Sequence, residues 1–320
     1  MSGTHRAWDV PLEATGERLD RHAAAVLDLP RNQVQHLIRD GHLRVGGKPA
    51  KPSTALAAGD AITADIPASA DDRIVPEPWD VPVLYEDDDL VVLDKPAGLT
   101  VHPGAGRSTG TLAHQLLARY PEMAGVGGPG RPGIVHRLDQ GTSGALVAAR
   151  TAAAYARLAR AFAAREVEKR YLAVVYGTPK PPAGRIEAPI GRHPDRRREM
   201  AVRAGGRPAV TGYRTLASAA GLSLLEFDLG TGRTHQIRVH ARHLGHPLVG
   251  DPLYGGARHK QLPKAAQKAM ADFSRPALHA WRLAFAHPRD AHRVAFEAPV
   301  PHDLQDLWLA ATGKSWPAIR

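Results

Sequence analysis

The chain has 320 residues, with 42 lysines and arginines against 32 aspartates and glutamates, and it has no cysteine. The formal charge of +10 and the pI near 10.1 favour a polyanionic partner. Without cysteine, the chain can have no thiol nucleophile, disulfide framework or cysteine-bound metal, and we expect a reducing, cytoplasmic setting. A signal pattern and a run of about 18 apolar residues are both missing, so we expect neither export nor a membrane span.

The positive charge is uneven along the chain. Residues 1–67 hold 8 basic and 8 acidic side chains, residues 71–100 hold 2 and 9, and residues 101–320 hold 32 and 15, so the last block carries 32 − 15 = +17. Residues 31–51 are a local basic stretch of +4 inside the balanced first block. The cations of this basic stretch are Arg31, Arg39, Arg44, Lys48 and Lys51.

The first 67 residues predict a small helix–helix–hairpin domain. Apolar residues recur at helical spacing from Leu19 to Leu27 and again from Val34 to Ile38. The pair Gly46-Gly47 then suits a tight hairpin, because both residues tolerate positive φ. Together with the basic stretch, this pattern is typical either of an RNA-binding module or of a small domain with a solvated charged face.

A Pro- and Asp-rich linker is predicted at residues 68–80, before a second domain at residues 81–320. Amphipathic patterns after Thr151 and before Gly245 predict helices in this second domain. Short apolar runs predict strands at residues 90–95, 145–150, 171–177 and 222–230. We therefore predict an α+β chain whose second domain has a mixed or largely antiparallel sheet.

Asp139, in the segment GIVHRLDQGTSGALVAAR (133–150), is the first candidate for chemistry. Apolar residues on both sides predict strands, so the intervening turn would present a carboxylate at the edge of a sheet. Asp139 is then either a nucleophile or base, or an Asx-turn residue that closes the loop. The HRLD sequence also resembles part of a kinase catalytic loop, but the other kinase motifs are missing, which excludes a kinase.

Arg233, in LGTGRTHQIRVH, follows a Gly-Thr-Gly turn at a predicted helix N-terminus, where anions bind. We expect it to bind phosphate or to pair with a carboxylate such as Asp139. The segment lacks the P-loop pattern, and the histidines that follow lack a metal-binding pattern, so we expect no nucleotide cofactor and no metal. Tyr171 begins a predicted strand and is either a strand-edge aromatic or a platform for a base.

These segments together resemble the RluA-type pseudouridine synthases, and among them the RluD-like branch, which acts on large-subunit ribosomal RNA. The resemblance rests on GIVHRLDQGTSGALVAAR, EKRYLAVVYG and TGRTHQIRVHARHLGHPLVGDPLYG, in that order, and extends over about residues 17–305. The N-terminal domain resembles the RNA-binding domain first seen in small-subunit ribosomal protein four. The sequence departs from the family pattern at Gln140, Gly141 and Arg150, where a Lys, an Asp and a Lys are more usual.

The resemblance implies a role for particular residues. Asp139 matches the catalytic aspartate, and Arg233 matches the arginine that pairs with it. Tyr171 matches the tyrosine that lies against the target base, and Arg137 matches the arginine that fills the space left by the flipped nucleotide. His136 and the cations of the basic stretch are expected to contact RNA.

The implied reaction is a cofactor-independent isomerisation of uridine in large-subunit ribosomal RNA, performed by a monomer. Whether Asp139 adds to C1′ or to C6, or instead removes the 2′ proton, stays open. A non-catalytic RNA-binding or ribosome-assembly factor with the same fold is the competing hypothesis. A glycoside-type hydrolase that uses Asp139 is a third one, although no partner carboxylate is evident in the sequence.

Overall fold

The computed structural model describes residues 4–29, 31–66, 74–104, 107–128, 130–196, 198–271 and 273–319. The chain divides into two units, Met1–Arg73 and Ile74–Arg320. Residues 67–73, which include most of the first half of the predicted linker, lie outside the described residues. Ile74 and Trp79, at the other end of that linker, pack against the core of the second unit, so this part of it is not a free connection.

The first unit contains two helices and a four-stranded antiparallel sheet in the order β1-β4-β2-β3. Its elements are β1 (Thr4–Asp9), α1 (Leu19–Leu27), α2 (Arg31–Arg39), β2 (Leu43–Val45), β3 (Lys48–Pro49) and β4 (Ala61–Ile66). Leu19 and Ile38 from the helices share one buried cluster with Leu43 and Ile62 from the sheet. The predicted hairpin is confirmed, because Gly46 and Gly47 connect β2 and β3 with φ of 56° and 73°.

The second unit is built around a mixed sheet, as predicted, and this sheet has nine of the unit's eleven described strands. Its strands are β5 (Val83–Glu86), β6 (Leu90–Lys95), β7 (Ser143–Ala149), β8 (Glu168–Tyr176), β9 (Ala183–Glu187), β10 (Ile190–Arg192), β11 (Met200–Val202), β12 (Val210–Ala219), β13 (Leu222–Leu229), β14 (Leu278–Ala286) and β15 (Arg293–Glu297). Its helices are α3 (Leu112–Arg119), α4 (Ala152–Ala164), α5 (Gln236–His243), α6 (Lys264–Ala271) and α7 (His302–Thr312).

The order of the large sheet is β5-β6-β7-β14-β8-β13-β12-β9, and β15 pairs with β14. Its neighbours are antiparallel apart from β7 and β14, which run parallel. The short strands β10 and β11 form a separate antiparallel hairpin. The α+β architecture predicted from the sequence is therefore confirmed.

Strand β7 occupies the middle of this sheet and positions the loop that precedes it. Every residue of β7 is buried, which explains its continuous run of small and apolar residues. At Gly144 the chain has φ of 115°, and a Cβ there would collide with the backbone carbonyl of Ala280 in β14. The close approach of β7 and β14 at this glycine therefore fixes where the loop containing Asp139 enters the sheet.

Candidate active site

Asp139 lies in the loop before β7, on the wall of a cavity of about 620 Å³. The loop is tied to the segment after β6, since the Gly98 amide donates to the Gln140 carbonyl at 2.8 Å and the Gln140 side chain donates to the Gly98 carbonyl at 3.1 Å. Across the part of the chain that the structure describes, the Asp139 carboxylate accepts no hydrogen bond from its own loop. The geometry therefore does not support the Asx-turn alternative.

Arg238 is the arginine that holds Asp139. Its Nη1 donates to Asp139 Oδ2 at 3.1 Å, while its Nε and Nη2 donate to the two carboxylate oxygens of Asp251 at 2.7 and 2.9 Å. Asp251 is fixed in turn, because its Oδ1 also accepts from the amides of Leu253 and Tyr254. One guanidinium thus bridges two carboxylates. Of these, Asp251 has a fully buried side chain, and that of Asp139 is 20% exposed.

The expected pairing of Arg233 with Asp139 is wrong. Arg233 lies before α5 rather than inside it, and its Nε donates to the carbonyl of Pro208 at 3.1 Å. The cause is the buried side chain of Gln236, whose Oε1 accepts from the Arg233 amide and whose Nε2 donates to the Val210 carbonyl. This anchor turns the first helical residues inward, so Arg238 reaches Asp139 and Arg233 stays on the cavity wall.

Sequence reasoning missed both Arg238 and Asp251. Arg238 follows Ile237 and precedes Val239 on a helix that is buried along most of its length. A buried arginine needs a carboxylate partner, so an arginine between two apolar residues of a predicted buried helix was a usable signal. Asp251 directly follows the apolar pair Leu248-Val249 and Gly250, and a carboxylate beside such an apolar segment was the corresponding signal for the partner of Arg238.

His235 lies beside Asp139 in an uncommon backbone conformation. Its φ of 58° places a non-glycine residue in the left-handed region, and its Nε2 is 4.0 Å from Asp139 Oδ2. The Tyr254 hydroxyl accepts a hydrogen bond from the Met200 amide at 2.8 Å, and it lies 2.8 Å from His235 Nδ1. We therefore assign the hydroxyl as the donor to His235 Nδ1. The remaining ring proton is then on Nε2, on the side of Asp139.

Lys95 is a further buried charge that the sequence did not single out. Its Nζ donates to the carbonyls of Pro96 and Leu99 at 2.8 and 2.9 Å, and to that of Gln140 at 3.4 Å. Burial lowers the pKa of Lys95 to about 7, although the charge of Asp139 opposes this shift. Lys95 therefore joins the end of β6 to the Asp139 loop.

Tyr171 and His136 line the same cavity from different elements. Tyr171 lies in β8, and burial, followed by the charge of Asp139, raises the pKa of its phenol, so the ring stays neutral. His136 stacks on Phe162 with ring centroids 4.5 Å apart, and its Nε2 accepts the Val147 amide at 3.1 Å. Because burial lowers the pKa of His136 to about 3, this residue offers no positive charge to a phosphate.

Four arginines, named here the cationic rim, also line the cavity: Arg137, Arg165, Arg207 and Arg233. Burial lowers the pKa of Arg233, and the neighbouring charges of Arg207 and Arg165 lower it further. Within the described ranges, the cationic rim makes no ion pair, and Asp139 is the sole carboxylate that lines the cavity. The cavity therefore suits an anion, and it lacks the second carboxylate that a glycoside hydrolase needs.

The basic stretch in the first unit divides into two groups. Arg31 Nη2 donates to both carboxylate oxygens of the buried Asp20, at 3.1 and 3.0 Å. The other four cations are exposed, and none forms an ion pair with a described carboxylate. These four are Arg39, Arg44, Lys48 and Lys51. Arg31 therefore has a structural contact, whereas the other four are free for an external anion.

Comparison with known proteins agrees with both units. Two family models match the chain, the S4 domain over residues 17–62 and RNA pseudouridylate synthase over residues 89–243. Ribosomal large subunit pseudouridine synthase D of Neisseria meningitidis is 45% identical over 93% of this chain and 79% of its own length. The protein of that name in Pseudomonas aeruginosa is 41% identical over 95% of this chain and 94% of its own length.

A solved structure, human RNA pseudouridylate synthase domain containing 4, matches with a TM-score of 0.58 and 25% identity, over 72% of this chain and 92% of that chain. The S4 module and the cavity-bearing sheet thus define an RNA-modifying enzyme. The chain belongs to the family of RNA pseudouridylate synthases, which are isomerases. No helix in the described parts of the chain is both long and apolar enough to cross a membrane.

Proposed function

We propose that this enzyme converts specific uridines of large-subunit ribosomal RNA to pseudouridine. Support comes from the relatives in Neisseria meningitidis and Pseudomonas aeruginosa, which are named ribosomal large subunit pseudouridine synthase D and are 45% and 41% identical to this chain. The charge of +17 in residues 101–320 and the cationic rim suit the phosphates of RNA. A cytoplasmic location follows from a ribosomal substrate, and the absence of a cofactor and the monomeric state stay predictions.

Asp139 is the reacting carboxylate in this proposal. The observation that carries the assignment is its position, since it is the one acidic group among the described residues that line the cavity. The reaction breaks the bond between C1′ and N1 and forms one between C1′ and C5. C5 loses its proton and N1 gains one, so the atoms balance without an oxidant or a co-reactant. Attack on C1′ or C6, or removal of the 2′ proton, each begins with a carboxylate that faces the bound nucleotide.

The target base must leave the RNA stack to reach Asp139. Extrusion costs a few kcal/mol, which contacts to phosphate and to the flipped base offset. Tyr171 lines the cavity and provides a flat, neutral surface against which the base can lie. Arg137 is exposed beside Asp139 and makes no hydrogen bond with another described residue, so it is free to occupy the space that the base leaves.

The Asp139→Asn variant tests the assignment of the carboxylate. We expect isomerisation to fall by roughly 10³-fold or more, because the reacting group is removed, while RNA binding stays near that of the wild type. The measurement is tritium release from RNA that contains 5-tritiated uridine, together with a filter-binding assay. Asp195→Asn, the same chemical change at an exposed position of the second unit, is the matched control. Tritium release by Asp139→Asn at the wild-type rate would show that the site assignment is wrong.

The choice of substrate needs a separate test. Pseudouridines in large-subunit ribosomal RNA are mapped in cells with and without the protein, and one or more sites should be lost in its absence. An unchanged map combined with turnover on another RNA would overturn the substrate and keep the site. Release of free uracil instead of pseudouridine would favour the hydrolase.

A further inference from the structure

The turn between β14 and β15 places two histidines and one aspartate together, and none of the three lines the cavity. Asp290 Oδ1 is 2.5 Å from His292 Nδ1 and 3.8 Å from His287 Nδ1. One ligand atom from each of the three residues lies within 4.8 Å of those of the other two, and the two imidazole rings stack with centroids 5.1 Å apart. No other group of His, Cys, Asp or Glu residues in the described ranges meets this condition.

The tautomer of His287 leaves a lone pair where these side chains converge. His287 is buried, and its Nε2 lies 2.8 Å from Asp87 Oδ2, so Nε2 carries the ring proton and donates a hydrogen bond to the carboxylate. Its Nδ1 accepts the Arg289 amide at 3.2 Å, which agrees with that assignment. Metal-binding histidines usually have this arrangement, in which one ring nitrogen donates a hydrogen bond to a carboxylate and the other faces the metal.

Asp87 is held firmly enough to provide that support. Its Oδ1 accepts the amides of Asp89 and Leu90 at 2.8 and 2.9 Å, and its Oδ2 accepts the Tyr85 hydroxyl at 2.9 Å. These three hydrogen bonds and the one from His287 Nε2 hold the Asp87 carboxylate in a fixed position.

The local charge favours a cation. The turn between β5 and β6 contributes Asp87, Asp88 and Asp89, and the turn between β14 and β15 contributes Asp290. Arg289, the cation that contacts this group, pairs with Asp88 and Asp89 and not with Asp290. Arg150 and Arg157 also lie at these turns, where they donate to the backbone carbonyls of Asp87, Pro288 and Arg289. Four carboxylates thus face three guanidiniums, which still leaves an excess of negative charge beside the two histidines.

We propose that His287, Asp290 and His292 bind one divalent transition-metal ion such as Zn²⁺. The ligands are the two Nδ1 atoms and Asp290 Oδ1, and water completes a four-coordinate site. Two imidazoles and one carboxylate suit zinc, nickel or copper better than magnesium or calcium, which prefer oxygen ligands. On binding, the exposed His292 ring turns out of its stack with His287, and the proton that it shares with Asp290 leaves to solvent. His287 Nδ1 exchanges the hydrogen bond from the Arg289 amide for the ion, which through Asp87 ties the two turns together.

Zinc titration of the tag-free, full-length protein tests this site. We expect one equivalent of Zn²⁺ by calorimetry, an increase in Tm with zinc, and the visible absorption of four-coordinate Co²⁺ with cobalt. The variants His292→Ala and Asp290→Asn should each bind zinc at least roughly tenfold more weakly, since each removes a direct ligand, and Asp87→Asn should lose roughly 10- to 100-fold.

His5→Ala is the matched control. His5 Nδ1 and Asp65 Oδ1 are 2.6 Å apart, which makes a second close His–Asp pair, but no third ligand joins this pair among the described residues. We expect the control to bind zinc as the wild type does. A wild-type protein without a bound equivalent of zinc, or a His292→Ala variant with wild-type affinity, would overturn the proposal. Because none of the three ligands lines the cavity, His292→Ala should release tritium from RNA at the wild-type rate.

Discussion

Asp20 in the first unit and Asp139 in the second both bind arginine, but they differ in the number of arginines available to each carboxylate. The fully buried Asp20 accepts hydrogen bonds from Arg18, Arg31 and Gln35. Asp139 is partly exposed to a cavity and accepts one hydrogen bond from Arg238, which also serves Asp251. One acid therefore has two arginines, whereas in the second unit two acids share one arginine.

This difference separates a structural carboxylate from the carboxylate that we propose to react. The hydrogen bond from Arg18, with those from Gln35 and Arg31, lowers the pKa of Asp20 and leaves its oxygens no free direction. Asp139 keeps most of its hydrogen-bonding capacity toward the cavity, and its arginine is already neutralised by Asp251. An acid whose partners satisfy it completely stabilises a fold, and one left partly unsatisfied beside a cavity can react with a ligand.

The largest effect on stability is expected for Asp20→Asn. Asn leaves no charge and a single acceptor oxygen for Arg18, Arg31 and Gln35, and because both arginines are half exposed the first unit should lose about 1–3 kcal/mol of its free energy of unfolding. Amide hydrogen exchange in α1 and α2 measures this, with exchange in the second unit as the internal control. Unchanged protection of both helices would mean that Asp20 does not join them.

Asp251→Asn should reduce the catalytic rate without removing the reacting group. Arg238 would lose its charged anchor, and misplacement of its Nη1 should lower kcat by roughly 10- to 100-fold. Single-turnover rates and RNA affinity are measured together, and we expect the affinity to stay within about twofold of the wild type. An equal loss of affinity and rate would indicate that Asp251 supports RNA binding instead of the position of Asp139.

His136 extends the comparison to a group that is kept neutral instead of paired. Its pKa is 6.5 in an unfolded chain and about 3 in the fold, so the unfolded chain binds more protons between these values. The stability that neutral His136 contributes is complete above about pH 6.5 and falls toward pH 3 by roughly 1.4 kcal/mol per pH unit. His136→Gln keeps an acceptor for the Val147 amide and should be less sensitive to acid, as denaturation at pH 7 and pH 5 would show. Parallel losses in both proteins would contradict the assignment.

The smallest effect concerns the cations of the first unit. Arg39→Gln should weaken RNA binding a few-fold and reduce the slope of log affinity against log salt by about one phosphate contact, because no described carboxylate pairs with Arg39. Arg31→Gln should change mainly the stability of the first unit, since Arg31 binds Asp20. If both variants reduced the salt slope equally, the distinction between paired and free cations would be wrong.

Local patterns were sufficient to predict much of the fold. The alternating and continuous apolar runs located β6, β7, β8 and β13, and Gly46-Gly47 located the first hairpin. Thr151 was correctly expected to begin α4, and its hydroxyl accepts the Ala154 amide at 3.1 Å. These features depend on spacing and backbone preference, which the sequence contains directly.

The partner of Asp139 could not be read in the same way. Arg233 and Arg238 are five positions apart in one segment, and both are compatible with a carboxylate partner. The choice between them depends on contacts of Gln236 with Val210 and Thr211, residues 25 or more positions earlier in the chain. The local pattern around Arg238 indicates a buried arginine that needs a carboxylate, but it does not say which carboxylate, because long-range packing of this kind sets side-chain direction.

The cationic rim has a consequence for turnover. Isomerisation changes neither the number nor the position of the phosphates, so arginines that attract the substrate RNA hold the product RNA equally firmly. Charge can therefore speed capture, but it cannot drive release. In the proposed reaction the base leaves its stack and then returns, so departure of the product relies on this return, and we expect the refolding of the RNA to be the step that frees the enzyme.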